Sequence, residues 1–193
     1  GFNTDHIRAL TTDQLIGMTT AQFAALRTAQ VAALNTNQIA NLATNDVAAL
    51  TSAQIVGLTS DQLVAMTTLQ ISSLTTAQVA AIETIDFAAM QTTDLQALTT
   101  AQVAAITSRQ LGGMTTNQIA NLETADIAAL TSTALDGMTT LQIQAFTTDQ
   151  IRGFTSAQVA SMSTAQVAAI LTTQLQAMTT NQMVALTSAQ VAG

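Results

Sequence analysis

TTAQFAAL, the octapeptide at residues 19–26, recurs in phase and with substitutions from Asn3 to Gly193. Its copies begin at residues 3, 11, 19 and so on to 187, which makes twenty-four, and only the last copy lacks its eighth residue. We number the positions of each octad from one to eight. Self-similarity at a short fixed period is the signature of a repeat architecture, so this pattern decides the fold.

Five positions of the octad are nearly constant. Position two is Thr or Ser in every copy, position five is always apolar, and position eight is always Leu, Met, Ile or Phe. Position seven is Ala, Gly or Ser except at Asn41 and Asn121. Position four is Gln in eighteen copies, and the others are His6, Asp46, Asp86, Asp94, Asp126 and Ala134.

An eight-residue period fits neither a continuous helix nor a continuous strand. Each residue of an α-helix turns by about 100°, so the apolar positions would spiral around one long rod and no face would stay buried. In a strand, positions five and eight would point to opposite faces. A break in every octad resolves both problems. We therefore predict an all-α solenoid, or superhelix, of twenty-four octapeptide repeats with one very short helix each, positions five and eight inside, and positions three and six mostly outside.

Two residues of each octad could begin the helix, because Ser and Thr are preferred N-caps. If position one is the cap, Gln at position four falls at N3 and completes a capping box. However, position one is Arg27, Ala43, Glu83, Gln91, Glu123 or Leu171 in six copies, whereas position two never deviates. Since a necessary cap should be the constant residue, the pattern favours position two as the cap, with position one making a weaker corner bond.

The chain contains no linker, Pro-rich or Gly-rich hinge, or block of charge. We therefore expect residues 1–193 to form a single uninterrupted repeat domain, with octads from residue 3 and Phe2 over the end of its core. The last octad carries no polar terminal repeat of the kind that usually closes a solenoid. We expect the chain to be a fragment of a longer array, and its uncapped ends could associate end to end.

A forty-residue period lies over the octads. Asp46, Asp86 and Asp126 are spaced by forty residues at position four. Duplication of a forty-residue block would produce this pattern. The alternative is geometric: five octads make a whole number of turns, either one turn of five or two turns of two and a half.

Composition excludes several classes of function. The net charge is −7, with four Arg and no Lys, which is the wrong sign for a nucleic-acid partner. No apolar run approaches the roughly 18 residues that span a bilayer, so we expect no membrane insertion. The chain has no Cys, Lys or Tyr and a single His, so the usual nucleophile and base sets cannot be assembled. We predict that the protein is not an enzyme and that it has no cofactor-binding, catalytic or metal-binding residues. A catalytic site would have to combine scattered acids with Arg8, Arg27, Arg109 or Arg152.

Some residues have a functional and a structural interpretation. His6 takes the Gln position of the first octad, and a structural role is expected. Glu83 with Asp86, and Glu123 with Asp126, could make a weak divalent-cation contact, although acids at a helix start are favoured by its dipole anyway. The Met residues at position eight are expected in the core. Rows of Thr could form an ice-binding face, whereas every octad needs a capping Thr regardless of function.

Two resemblances follow from these residues. LTTAQVAAI, at residues 98–106, resembles the opening of the first helix in TAL-effector repeats, which implies only a similar helix start. The whole chain resembles the Thr/Ala/Gln-rich short tandem repeats of large bacterial secreted or surface proteins of the adhesin kind. That resemblance implies an extracellular or cell-surface location and a non-catalytic spacer or adhesive stalk, whose partner would be an unknown protein or surface ligand. The alternative function is an antifreeze-like, ice-binding solenoid.

Overall fold

The computed structural model describes all residues, Gly1–Gly193, and contains twenty-four helices of four to six residues and no strand. The predicted all-α fold with one helix per octad is confirmed. The helices are α1 Thr4–Ala9, α2 Thr12–Ile16, α3 Thr20–Ala24, α4 Thr28–Val31, α5 Thr36–Ala40, α6 Thr44–Ala49, α7 Ser52–Val56, α8 Ser60–Val64, α9 Thr68–Ser73, α10 Thr76–Ala81, α11 Thr84–Ala89, α12 Thr92–Gln96, α13 Thr100–Val103, α14 Ser108–Gly113, α15 Thr116–Ala120, α16 Thr124–Ala129, α17 Ser132–Leu135, α18 Thr140–Ala145, α19 Thr148–Gly153, α20 Ser156–Ser161, α21 Thr164–Ala168, α22 Thr172–Ala177, α23 Thr180–Ala185 and α24 Ser188–Ala192.

The chain divides into two compact units, Gly1–Gln102 and Val103–Gly193. The same octad geometry builds each of them, and each is a solenoid of short helices in its own right. That residues 1–193 act as one uninterrupted domain stays a prediction.

Position one, and not position two, is the N-cap, so our expectation for the cap was wrong. In eighteen octads position one is Thr, Asn or Ser, and its side-chain oxygen accepts a hydrogen bond from the N–H of position four. In the ninth octad the Gln70 N–H donates to Thr67 Oγ1 at 3.2 Å, and the Thr67 N–H donates to Gln70 Oε1 at 2.8 Å. This reciprocal exchange is a capping box.

The corner between successive helices needs no residue in the left-handed region, and no residue of the chain has a positive φ. At the corner after α9, Leu74 at position eight is extended, with φ −58° and ψ 142°. Thr75, the next N-cap, is also extended, with φ −72° and ψ 158°. The Leu74 N–H donates to the carbonyl of Ile71 at 3.2 Å. Two extended residues therefore redirect the chain, and glycine is not required there.

The core consists of positions five and eight, as predicted. Position five is buried in every octad from Ile7 to Val159, and position eight is buried in every octad from Leu34 to Met162. Position three is exposed in all twenty-four octads, and position six is never buried. The Met side chains at position eight lie in this core where neighbouring octads cover both sides: Met66, Met90, Met114, Met138 and Met162.

Within each unit a helix packs against the helix three octads later. The pairs α3 with α6 and α6 with α9 belong to the first unit, and α16 with α19 and α20 with α23 belong to the second. Side-chain hydrogen bonds from Gln at position four, described below, link octads to those four places earlier. A coil therefore holds between three and four octads. The geometric interpretations, with five or with two and a half octads in a turn, were therefore wrong. Duplication of a forty-residue block is left as the explanation for the forty-residue period.

Candidate interaction site

Buried amides at position four join one coil to the next. Gln70 is 1% exposed, and its Nε2 donates to the carbonyls of Ile39 and Leu42, each at 2.8 Å. The Leu42 carbonyl follows the end of its own helix and accepts no backbone N–H. Because an unpaired buried carbonyl is costly, the amide satisfies a group that the octad corner would otherwise leave without a donor.

This contact repeats with constant spacing in both units. The Nε2 atom reaches the carbonyls 31 and 28 residues earlier, which are positions five and eight of the octad four places back. In the first unit the donors are Gln38, Gln54, Gln62, Gln70, Gln78 and Gln102. In the second they are Gln142, Gln150, Gln158, Gln166, Gln174, Gln182 and Gln190.

Sequence reasoning missed this buried role of Gln. The near-constant amide at position four was a signal, but a capping box already explained it. One Gln side chain performs both functions, since Oε1 accepts from the N-cap N–H while Nε2 donates to the earlier coil. Its carbonyl partners are backbone atoms, so no side-chain pattern in the sequence reveals them.

Asp at position four interrupts the amide contacts. Asp46 is 5% exposed, and its shorter side chain has no amide with which to reach the carbonyls of Leu15 and Met18, 31 and 28 residues earlier. Burial raises the pKa of the Asp46 carboxyl above its ordinary value. Burial raises the pKa of Asp94 as well, opposed by a hydrogen bond from the Gln91 N–H. These octads are therefore weaker links than those with Gln.

The two acid pairs considered as cation ligands differ in their surroundings. Asp86 is buried and accepts a hydrogen bond from the Ser60 hydroxyl, whereas Glu83 is exposed at the N-cap. Burial first, and the charge of Glu123 second, raise the pKa of Asp126. No group of three or more His, Cys, Asp or Glu side chains is placed to hold a metal ion. Neither acid pair therefore has a third His, Cys, Asp or Glu side chain beside it.

The other candidates have structural contacts. His6 is exposed, and its Nδ1 accepts from the Asn3 N–H at 3.4 Å, which imitates the capping box of a Gln octad. Of the four Arg residues, Arg8 pairs with Asp5 and Arg152 with Asp149 on the surface. Arg27 donates to the Phe2 carbonyl. Neither unit gathers its Arg residues and acids into one site.

The octad with Ala at position four packs against α14 in the second unit. Ala134 is buried, and the octad that contains it approaches α14 closely. A Cβ atom on Gly137 would clash with the carbonyl oxygen of Ser108, and one on Gly112 would clash with the carbonyl oxygen of Gly137. These two glycines therefore permit a close approach that any larger side chain would prevent.

The first three octads present a surface that we call the N-terminal face. Gln14 and Gln22 are exposed there, and their only hydrogen bonds are the capping bonds to their own octads. The apolar side chains at position eight, Leu10, Met18 and Leu26, are half-buried. With Phe2, which is 48% exposed, these residues line a cavity of about 810 Å³. The N-terminal face therefore has side-chain amide donors without carbonyl acceptors, next to an apolar cavity.

The last four octads present a second surface, which we call the C-terminal face. Position five is exposed at Leu175 (43%), Met183 (43%) and Val191 (72%), although it is buried in every octad from the first to the twentieth. The carbonyls of Met178 and Leu186, at position eight, accept no hydrogen bond. This face therefore has acceptors without donors beside exposed apolar side chains.

No helix is both long enough and apolar enough to cross a bilayer. The repeated short helices, the reciprocal caps and the amide contacts between coils define a tandem-repeat α-solenoid. The ALTTAQ repeat family model matches the chain over residues 1–28, 15–44, 39–76, 79–116 and 119–156, which together make up more than half of it. The chain belongs to the ALTTAQ repeat family. No curated protein matches it.

Proposed function

We propose that this chain is a non-catalytic spacer or adhesive stalk within a larger bacterial surface or secreted protein. The observation that supports this function is the contact between coils. Gln amides in both units bind backbone carbonyls of the octad four places back, so adding octads repeats an existing contact and requires no new side-chain complement. A repeat of this kind provides length readily, because each unit is stabilised by its neighbours.

The exposed positions agree with a role in extending or presenting a surface. Position three is exposed throughout and is mostly small or polar, with isolated apolar residues at Leu69, Ile85 and Leu141. Its binding partner, if the stalk is adhesive, would be a protein or another surface ligand. The net charge of −7 disfavours nucleic acid as that partner.

Surface labelling tests this proposal. Antibodies against the purified 193-residue chain should label intact cells of the bacterium that encodes it, or detect the parent protein in its medium. An antibody against a cytosolic protein is the control for cell integrity. Labelling that requires permeabilisation, with none of the protein in the medium, would refute the surface or secreted location.

Ice binding is the competing function, and the caps weaken its main argument. The Thr hydroxyl at position one accepts a hydrogen bond within its own octad, as Thr75 Oγ1 does from the Gln78 N–H at 3.2 Å. Thermal hysteresis and ice-crystal shaping by the purified chain would overturn the spacer proposal. Growth of unshaped ice crystals at the normal freezing point would support it over ice binding.

A further inference from the structure

Two buried carboxyl groups of the first unit occupy places that Gln amides occupy in most octads. Asp46 is 5% exposed and Asp94 is 4% exposed, and both lie at position four. The Asp46 carboxyl accepts no hydrogen bond, and the Asp94 carboxyl accepts one, from the Gln91 N–H at 3.1 Å. A buried carboxylate with so few donors is costly, because burial removes the water that would solvate its charge.

The contacts on either side show what Asp46 faces. Gln38 and Gln54, in the octads before and after it, donate to carbonyls of the first and the third octad. Asp46 therefore faces the second octad, where the Met18 carbonyl accepts no hydrogen bond. A carboxylate and a carbonyl, which are both acceptors, thus face each other without a donor between them.

Asp94 is in the same situation farther along the first unit. Gln78 and Gln102, in octads on either side of it, donate to carbonyls of the sixth and the ninth octad. In this register Asp94 faces the eighth octad, where the Met66 carbonyl accepts no hydrogen bond. One oxygen of Asp94 serves the cap, and the other has no donor.

No basic side chain compensates either carboxyl. α6 packs against α3 and α9, and α12 packs against α9; neither α3 nor α9 contains a charged residue. Arg27 follows α3 and is exposed. The facing second and eighth octads contain Asp13 and Asp61, which are exposed at position three, and the octad before Asp94 contains the acids Glu83 and Asp86. The charged form of each carboxyl therefore gains no ion pair.

We propose that Asp46 and Asp94 are proton-operated contacts between coils: each contact is weak while the carboxylate is charged and becomes stronger when the carboxyl binds a proton from solvent. A protonated carboxyl has one O–H donor and keeps an acceptor oxygen. Its O–H supplies the donor that the facing position-eight carbonyl lacks, as the amide does in a Gln octad. Its other oxygen still accepts from a capping N–H, as at Asp94.

The direction of the pH effect follows from burial. Burial raises the pKa of Asp46 above 3.8, and it also raises the pKa of Asp94, against the opposing effect of the bond from the Gln91 N–H. Each carboxyl therefore contributes stability that is fully present below 3.8 and is lost as pH rises through its folded pKa. Acid strengthens these two contacts, whereas it weakens the exposed pair of Asp5 and Arg8, which contributes little.

Native-state hydrogen exchange on the full 193-residue chain tests the proposal. Protection factors, corrected for the intrinsic pH dependence of exchange, are compared at about pH 7 and about pH 4. Protection in α6 and α12 should rise by about three- to tenfold on acidification, which is the change in an opening equilibrium that one hydrogen bond produces. Protection in α7, whose Gln54 does not titrate, should change less.

A double variant and a matched control isolate the two carboxyls. Asp46→Asn with Asp94→Asn removes both titrating groups and retains their size, so protection in α6 and α12 should no longer rise in acid. Asp13→Asn with Asp61→Asn removes the same charge at exposed positions and should respond to pH like the unchanged chain. Equal pH dependence in the unchanged chain and the Asp46→Asn, Asp94→Asn variant would overturn the proposal.

Carbon NMR of the carboxyl groups gives a readout that needs no variant. The titration midpoints of Asp46 and Asp94 in the folded chain should lie above those of the same residues in the urea-unfolded chain. Folded midpoints at or below the unfolded ones would overturn the proposal. Neither measurement depends on the spacer function or on a surface location, so these experiments and the labelling experiment fail independently.

Discussion

Replacing Gln70 by Leu tests whether the buried amides hold successive coils together. Gln70 is 1% exposed and makes three hydrogen bonds that Leu cannot make: one from the Thr67 N–H and two to the carbonyls of Ile39 and Leu42. The Ile39 carbonyl keeps the N–H of Leu42 as a donor, at 3.1 Å. The variant therefore leaves one buried carbonyl, that of Leu42, and one capping N–H without their partners.

The expected loss of stability follows from these two groups. An unsatisfied buried carbonyl costs about 1–3 kcal/mol, and loss of an ordinary hydrogen bond at the partly exposed Thr67 N–H costs about 0.5–1.5 kcal/mol. Leu recovers part of this by burying an apolar side chain. We expect Gln70→Leu to lower the free energy of unfolding by about 1–4 kcal/mol, measured by urea denaturation with circular dichroism.

Gln14→Leu is the matched control. Gln14 occupies the same octad position and has the same capping bond, at 2.9 Å from the Thr11 N–H, but it binds no earlier coil. Its loss should cost about 0.5–1.5 kcal/mol, the value of one hydrogen bond. Both variants are measured at a concentration too low for association. If Gln70→Leu costs no more than Gln14→Leu, the amides do not stabilise the contact between coils and our reasoning is refuted.

The other predictions concern one acid, two glycines and one cap. Asp46→Gln should stabilise the chain by about 1–3 kcal/mol at pH 7 by restoring the amide contacts. Burial raises the folded pKa of Asp46 above 3.8, so the stability that protonated Asp46 contributes is present below that value and is lost as pH rises through the folded pKa. The advantage of Gln over Asp should therefore shrink on acidification, and a pH-independent difference in the free energy of unfolding would contradict this. Gly137→Ala should lower the free energy of unfolding by about 1–3 kcal/mol, since its Cβ would clash with the Ser108 carbonyl oxygen. The control Gly17→Ala, whose Cβ would have its nearest neighbour at 3.4 Å, should be neutral or stabilising by up to about 1 kcal/mol. Equal thermal midpoints of the two variants would refute the close-approach explanation. Thr75→Ala should cost about 1 kcal/mol in urea denaturation through loss of the N-cap, with Thr75→Ser as a control that retains most of it.

The helical fold and the core could be predicted because they depend on side-chain periodicity. An apolar residue at positions five and eight of every octad, combined with a capping residue, is compatible with few backbones. The prediction succeeded from Ile7 to Val159 at position five. It failed only toward the ends, where Leu175 and Met183 have no later coil to cover them.

The N-cap was predicted wrongly because the constant Thr or Ser at position two was attributed to a role within its own octad. Position two contacts the octad three places later: Thr28 Oγ1 donates to the Ala53 carbonyl at 3.4 Å, and a Cβ on Gly57 would clash with Thr28 Cγ2. Ser156 makes the equivalent bond to the Asn181 carbonyl. A small hydroxyl residue at position two is thus constrained by packing between coils, and the number of octads in a coil was not readable from the octad itself.

The candidate interaction faces were only partly predictable. Uncapped ends were expected from the sequence, but which polar groups are unpaired depends on the direction of the Gln14 amide within the first unit and of the Met178 carbonyl within the second. That direction is set by the four-octad spacing of backbone contacts. Sequence alone supplied the residues and could not supply the spacing.

The absence of left-handed residues at the corners has a consequence for how such a gene can change. No corner uses a positive φ, and the Gln amides recognise backbone carbonyls, which are alike in all octads. Recombination that gains or loses the coding length of one octad therefore leaves each remaining Gln with an equivalent pair of carbonyls. Alleles that differ in their number of octads should encode proteins with the same fold, and a compensating substitution is needed only where the change separates close-packed partners such as Gly137 and Ser108.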